Sequence, residues 1–307
     1  MKILLTVNRT LTNGRDTWLD GATWNLYAPL KDLGHDVYFY DTVNPEERNF
    51  TKVVDSFKPD LIFCCLTNDQ QIAPFEPWDD LVKYTDSGLV KTFNWFCDDT
   101  WRFENFSKSA CHCFTACSTP ERAYLERFKI EANYRNIILG LWHSNINFFP
   151  SHPVQKKYDV LFCGHLNRDR INYINYLQEM GIEVTHFHGL GHEEMLKCLA
   201  ESRIGINFSK NFNGGVPTLQ MKGRMFEVPG AQSLLLTENA PGLEEHYIID
   251  KEIVTFEGPQ EMYEKTRVLL KNPHIIESIT GRGYQRFIKD HESHIRLAHV
   301  LQEIEAL

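Results

Sequence analysis

The sequence contains no run approaching the ~18 uncharged apolar residues of a membrane-crossing helix, so no stable membrane span is expected. A basic surplus is missing too. Lys and Arg number 32 against 41 Asp and Glu, a net charge of −9, which disfavours a general duplex-DNA coat, because such binding displaces counterions with many cations. A local basic groove stays compatible with that total. The opening Met1-Lys2-Ile3-Leu4-Leu5-Thr6-Val7-Asn8 has too short an apolar run for a secretory signal and reads as a first strand. No Gly-x-Gly-x-x-Gly follows the first strand of either half, which argues against a dinucleotide oxidoreductase. No internal repeat of fixed period is present. These absences make a soluble cytoplasmic protein the expectation.

Cysteine is present, eight times, but in a long chain without an export signal a disulfide framework is not expected. Cys64, Cys65 and Cys163 sit in apolar runs and read as small buried hydrophobes. Cys111-His112-Cys113, with Cys117 nearby, reads either as a metal site or as strand packing. Alternating strand positions point to opposite faces, which favours packing.

What is there is globular composition: 307 residues, 42% hydrophobic, 24% charged and 12% aromatic. At about 150 residues per domain this predicts two domains. Strand-like runs at Lys2–Asn8, Asp36–Tyr40, Asp60–Leu66, Leu89–Phe96, Cys113–Cys117 and Asn136–Leu139 alternate with helix-compatible stretches such as Trp24–Leu33 and Thr51–Phe57. The segment Asn145–Lys157, with Pro150 and Pro153, reads as a linker. The alternation then restarts: strands at Tyr158–Cys163, Glu183–His188, Ile204–Phe208, Ser233–Thr237 and Glu252–Phe256, and helices at Asp169–Met180, Glu193–Glu201 and Gln260–Leu270. The tail Ile275–Leu307 reads as helical, interrupted near Gly281 and Gly283. The expectation is an α/β chain of two Rossmann-like domains, 1–150 and 151–307, with mostly parallel sheets facing across a cleft that takes the ligand. The last helix is a candidate to pack back on the first domain.

Four stretches carry possible chemistry. After the strand ending at Cys163, Gly164 turns the chain and Arg168 and Arg170 stand at a helix mouth, a phosphate grip or a routine βα loop. Lys222-Gly223-Arg224-Met225-Phe226-Glu227-Val228 reads as a helix whose cations, set against the dipole, ask for an anion such as a diphosphate. Glu227 then grips two vicinal ribose hydroxyls, or simply pairs with Lys222 or Arg224 on the surface. Asp98-Asp99 ends an apolar strand and reads as base or charge stabiliser, as helix cap, or as ligand for a divalent ion. The loop Thr10–Gly21, with Asn13, Gly14 and Arg15, follows the first strand, either as a cleft wall or as a turn that its glycines merely permit.

In this order the residues resemble a family. Tyr158-Asp159-Val160-Leu161-Phe162-Cys163-Gly164, Ser202-Arg203-Ile204-Gly205-Ile206-Asn207-Phe208-Ser209, Lys222–Glu227, Leu234-Leu235-Leu236-Thr237-Glu238 and Gly281–Arg296 are similar to the glycosyltransferase domain of the spore-maturation protein CgeB-like group, a branch of the GT-B glycosyltransferases. Trp95-Phe96-Cys97-Asp98-Asp99 looks like that group's first domain. The resemblance implies transfer of a sugar from a nucleotide diphosphate sugar, held by the C-terminal domain, without an obligatory metal or other cofactor. It implies Gly164, Arg168, Asn207, Lys222, Arg224 and Glu227 on the donor, with Glu227 on the ribose. It puts Asp98 or Asp99 on the catalytic face and Asn13, Gly14 and Arg15 on the acceptor side. The acceptor is unidentified: a glycan, lipid, protein or modified nucleic acid. The pattern is departed from at Leu219, where many retaining members carry a second glutamate, and after Arg168, where no glycine follows. A nucleotide-sugar epimerase and a catalytically silent nucleotide- or sugar-binding protein are the alternative readings.

Overall fold

The computed structural model describes residues 1–13, 16–152, 154–212 and 216–307; the side chains of residues 12, 13 and 16–18 also lie outside the description. Contacts divide the chain into two units, Met1–Leu141 with Ser293–Leu307, and Trp142–Glu292.

In the first unit the strands are β1 Lys2–Val7, β2 Thr10–Asn13, β3 Asp16–Leu19, β4 Asp36–Asp41, β5 Leu61–Cys64, β6 Lys91–Trp95, β7 Ala116–Thr119 and β8 Ile137–Leu139. Six of them form one parallel sheet in the order β4-β1-β5-β6-β7-β8. Short apolar strands with helices between them are buried on both faces, which is why they lack the alternation of a half-exposed sheet. One face packs Leu4, Ile62 and Cys117 against Phe96, Phe103 and Phe128. The other packs Ile3, Leu5, Phe63 and Phe93 against Leu26, Leu30 and the last helix through Leu297, Val300, Leu301 and Ile304. Part of the stretch expected as a loop wall is a hairpin, β2 against β3. Cys111–Cys113 lies in a short helical turn, not a strand, and β7 starts only at Ala116.

In the second unit β9 Tyr158–Cys163, β10 Thr185–Phe187, β11 Ser202–Asn207, β14 Leu234–Glu238 and β15 Val254–Phe256 form a parallel sheet in the order β10-β9-β11-β14-β15. The small hairpin β12 Lys210–Asn211 and β13 Thr218–Leu219 stands beside it. The sheet's core runs from Val160 and Phe162 through Ile204, Ile206 and Leu236 to Met262 and Ile279.

Two expectations need correcting. The helix Pro273–Arg286 runs through Gly281 and Gly283 without a break, and the interruption comes at Glu292, whose extended backbone precedes the helix Ser293–Ala306. Gly283 allows close approach instead: a Cβ there would stand 2.4 Å from the Glu252 carbonyl oxygen. The helix expected over Lys222–Val228 spans Arg224–Gly230, so Lys222 precedes it. Pro229 sits inside that helix and cannot donate to the Met225 carbonyl. The Tyr247 hydroxyl donates to that oxygen in its place, at 2.9 Å.

Candidate functional site

The carboxyl edge of the second unit's sheet collects most of the chain's candidate donor residues. β9 ends at Cys163, and Asn167 caps the following helix, Arg168–Glu179, by accepting the Arg170 N–H at 2.9 Å. Of the two arginines there, Arg170 is spent on the protein. Its guanidinium donates to the His165 carbonyl at 2.7 Å and lies over Phe162 and Phe208, and burial lowers its pKa. Arg168, the first residue of the helix, is exposed and makes no ion pair among the described residues. Gly164 carries the turn, its carbonyl 2.8 Å from His186 Nε2.

Arg224 opens the short helix Arg224–Gly230 and is fixed in two directions. Nε donates to the Cys163 carbonyl at 3.1 Å, and the guanidinium pairs with Glu227 one turn on. Glu227 is only 7% exposed. Its other oxygen stands 4.0 Å from Nδ1 of His192, the first residue of the helix His192–Ala200. The Arg224 pair is therefore present, but buried against a strand end, where an ion pair is screened far less than on a surface. The helix can come this near because of Gly205 on β11, where a Cβ would stand 2.7 Å from Val228.

Two other expected donor residues are placed differently. Lys222 donates to the Lys210 carbonyl at 3.0 Å, beside the β12–β13 hairpin. Asn207 is buried and its amide donates to Thr237 Oγ1 at 2.9 Å, between β11 and β14. One hydrogen of that amide is thereby used inside the sheet.

Sequence reasoning passed over a group of residues at the same edge. His165 and His188 follow β9 and β10 with ring centroids 5.3 Å apart, and His192 reaches Glu227. Lys210 stands 3.7 Å from both Asp169 and the buried Glu238, which ends β14. The available signal was positional: each of these residues comes within a few positions of a strand's last residue.

At the carboxyl edge of the first unit's sheet, Asp98 follows β6 and occupies the cap position of the helix starting at Asp99, but its side chain makes no capping bond. Asp99 has 0% exposed surface, and neither carboxylate oxygen has a hydrogen-bond partner. Burial pushes its pKa up to about 6; the hydroxyls of Ser107 and Thr119 and the charge of Arg102 pull the other way without completing a bond of normal geometry. A carboxyl without accessible surface does not touch a substrate in this arrangement. Among the described residues no group of three His, Cys, Asp or Glu side chains is placed to hold a metal ion, Cys111-His112-Cys113 included. Asn13 ends β2, while Gly14 and Arg15 lie outside the described residues. Nearby, Glu76 accepts the Thr67 and Asn68 N–H groups at 2.6 and 2.7 Å and the Trp78 indole N–H at 2.9 Å, which pins the loop after β5. No helix among the described residues is long and apolar enough to cross a membrane.

Residues 152–302 match the family model described as glycosyl transferase-like. No curated protein matches the sequence. Solved structures are similar over the whole chain. Anabaena HepE in complex with UDP-glucose has 12% identity and a TM-score of 0.63, with 100% of each chain covered. Sucrose-phosphate synthase from Thermosynechococcus elongatus has 11% identity and a TM-score of 0.65, again with 100% of each chain covered. An alpha-glucosyltransferase in complex with UDP-glucose and DNA containing an abasic site has 9% identity and a TM-score of 0.69, over 99% of each chain. The chain has the GT-B fold. With a glycosyl transferase-like domain over residues 152–302, it is by class a glycosyltransferase.

Proposed function

We propose that the protein transfers a sugar from a nucleoside diphosphate sugar, with the donor on the carboxyl edge of the Trp142–Glu292 sheet. One observation carries this reading: Arg224 is locked to the end of β9 through the Cys163 carbonyl and paired with the nearly buried Glu227. A fixed cation beside a fixed carboxylate suits two adjacent parts of one ligand, a diphosphate that accepts hydrogen bonds and a ribose whose hydroxyls donate them. Arg224, with Lys222 and Arg168, neutralises the departing diphosphate, and preorganised charge of this kind is commonly the largest catalytic contribution. Asp98 is assigned to the acceptor hydroxyl as base or charge stabiliser. The relatives solved with UDP or UDP-glucose make uridine nucleotides the first probes. The motif series from Tyr158 to Arg296 supports membership of the CgeB-like group. The free thiols of the eight cysteines suit a reducing compartment, and we assign the protein to the cytoplasm.

Lys222→Ala and Arg224→Ala are expected to weaken UDP binding more than UMP binding in calorimetric titrations, because the second phosphate loses its partner. Equal losses for the two ligands would return both residues to a structural role. In this reading side-chain cations supply the charge and no metal is required, so donor turnover should survive EDTA. Turnover abolished by EDTA and restored by a divalent ion would overturn that part.

A further inference from the structure

We propose that the carboxyl edge of the first unit holds a subsite for one neutral hexopyranose ring, between Arg9, Phe39, Asp41, Asn44 and Glu46. A cavity of about 280 Å³ opens there, outside the ends of β1 and the edge strand β4, which run in register from Lys2↔Asp36 to Val7↔Asp41. Parallel α/β sheets place ligands at such strand ends. The volume lies just under the roughly 300 Å³ lower end for pockets of drug-sized ligands, which suits a single ring better than a chain of them.

Two of the polar groups are fixed in place and each keeps a free side. Asp41 Oδ1 accepts the Arg9 and Val43 N–H groups, each at 3.0 Å, which fixes the carboxylate and leaves Oδ2 without a partner among the described residues. The Arg9 guanidinium lies over the Phe39 ring, 4.7 Å from its centroid, so its plane is set by stacking. Phe39 is itself braced edge-on by Tyr27, at 5.4 Å. Arg9 and Asp41 line the same crevice and share a backbone hydrogen bond, yet their side chains form no ion pair. A fixed donor and a fixed acceptor held apart match a ligand whose groups both donate and accept, and hydroxyls do both.

Charge then selects among ligands. A phosphate or carboxylate would face the like charges of Asp41 and Glu46, and an ammonium would face that of Arg9. A neutral polyol meets neither repulsion. On the glycosyltransferase reading, on which this assignment of role rests, the ring is a sugar unit of the acceptor.

The test uses the full chain and saturation-transfer NMR, with methyl glycosides of glucose, mannose and galactose as neutral probes and a hexose phosphate and glucosamine as charged ones. Asp41→Asn keeps an Oδ1 for the two backbone bonds and turns the free oxygen into a donor, whereas Arg9→Ala removes the stacked guanidinium. At least one neutral glycoside should bind in preference to both charged sugars, and each variant should weaken it about tenfold. No neutral binding, equal binding of the charged sugars, or variants that bind like the parent would overturn the subsite. Should Asp41→Asn fail to fold, Arg9→Ala alone decides. UDP titrations on the same samples separate the two proposals. Glycoside binding without UDP binding sinks the donor reading alone, and UDP binding without glycoside binding sinks this one alone.

Discussion

Asp99→Asn should make the protein more stable at pH 8, by about 3 kcal/mol, and leave it almost unchanged at pH 4. The carboxyl is fully buried without a hydrogen-bond partner, and burial raises its pKa from 3.8 to about 6. A carboxyl whose pKa is raised on folding binds its proton more tightly in the native state than in the unfolded chain. Stability therefore falls as pH rises from about 4 to about 6, and the whole penalty is present above that window. The difference of about two pKa units sets the size, at ~1.36 kcal/mol each. Asn has the same shape and never ionises, so the variant removes the slope. Melting temperatures across pH 4 to 8 read this directly, and parallel curves for the two proteins would refute it. Turnover of the same variant addresses the chemistry: a folded Asp99→Asn protein that loses kcat would assign Asp99 a role at the reacting atoms after all.

Glu227→Ala should raise the Kd for UDP by roughly tenfold to a hundredfold, as expected for loss of a charged hydrogen-bonding group. The buried pair with Arg224 offers two explanations for such a loss, direct contact with the ribose or misplacement of the arginine. A ligand-side change separates them. If Glu227 grips the ribose hydroxyls, UDP and its 3′-deoxy analogue bind differently to the parent and alike to Glu227→Ala, as a double-mutant cycle requires. A discrimination that persists in the variant would assign Glu227 to holding Arg224. Glu227→Gln keeps an acceptor without the charge and should fall between the two.

The comparison of sequence and structure is instructive where it diverges. β9 was legible to the residue at Tyr158–Cys163, because the apolar run Val160–Cys163, preceded by a polar segment and followed by a glycine, leaves little choice of register. The helix bearing Arg224 and Glu227 was displaced by two residues. The sequence shows Lys222, Gly223 and Pro229, but only the fold supplies the Tyr247 hydroxyl that relieves the proline's missing donor. Asn207 looked available at a strand end and gives one amide hydrogen to Thr237 across the sheet, a partner 30 positions away.

The sequence by itself determined the alternation of short apolar strands with helices, and hence two parallel sheets, because burial on both faces demands uninterrupted apolar runs. It also determined which charged residues stand near strand ends. Which of those charges are committed was decided only by tertiary structure. Arg170 folds back over two phenylalanines, Asp99 is buried beside the Ser107 and Thr119 hydroxyls without a hydrogen bond of normal geometry, and Arg9 and Asp41 share a backbone hydrogen bond while their side chains form no ion pair. Such outcomes depend on partners far along the chain and on desolvation at each site, neither of which a local run of residues encodes.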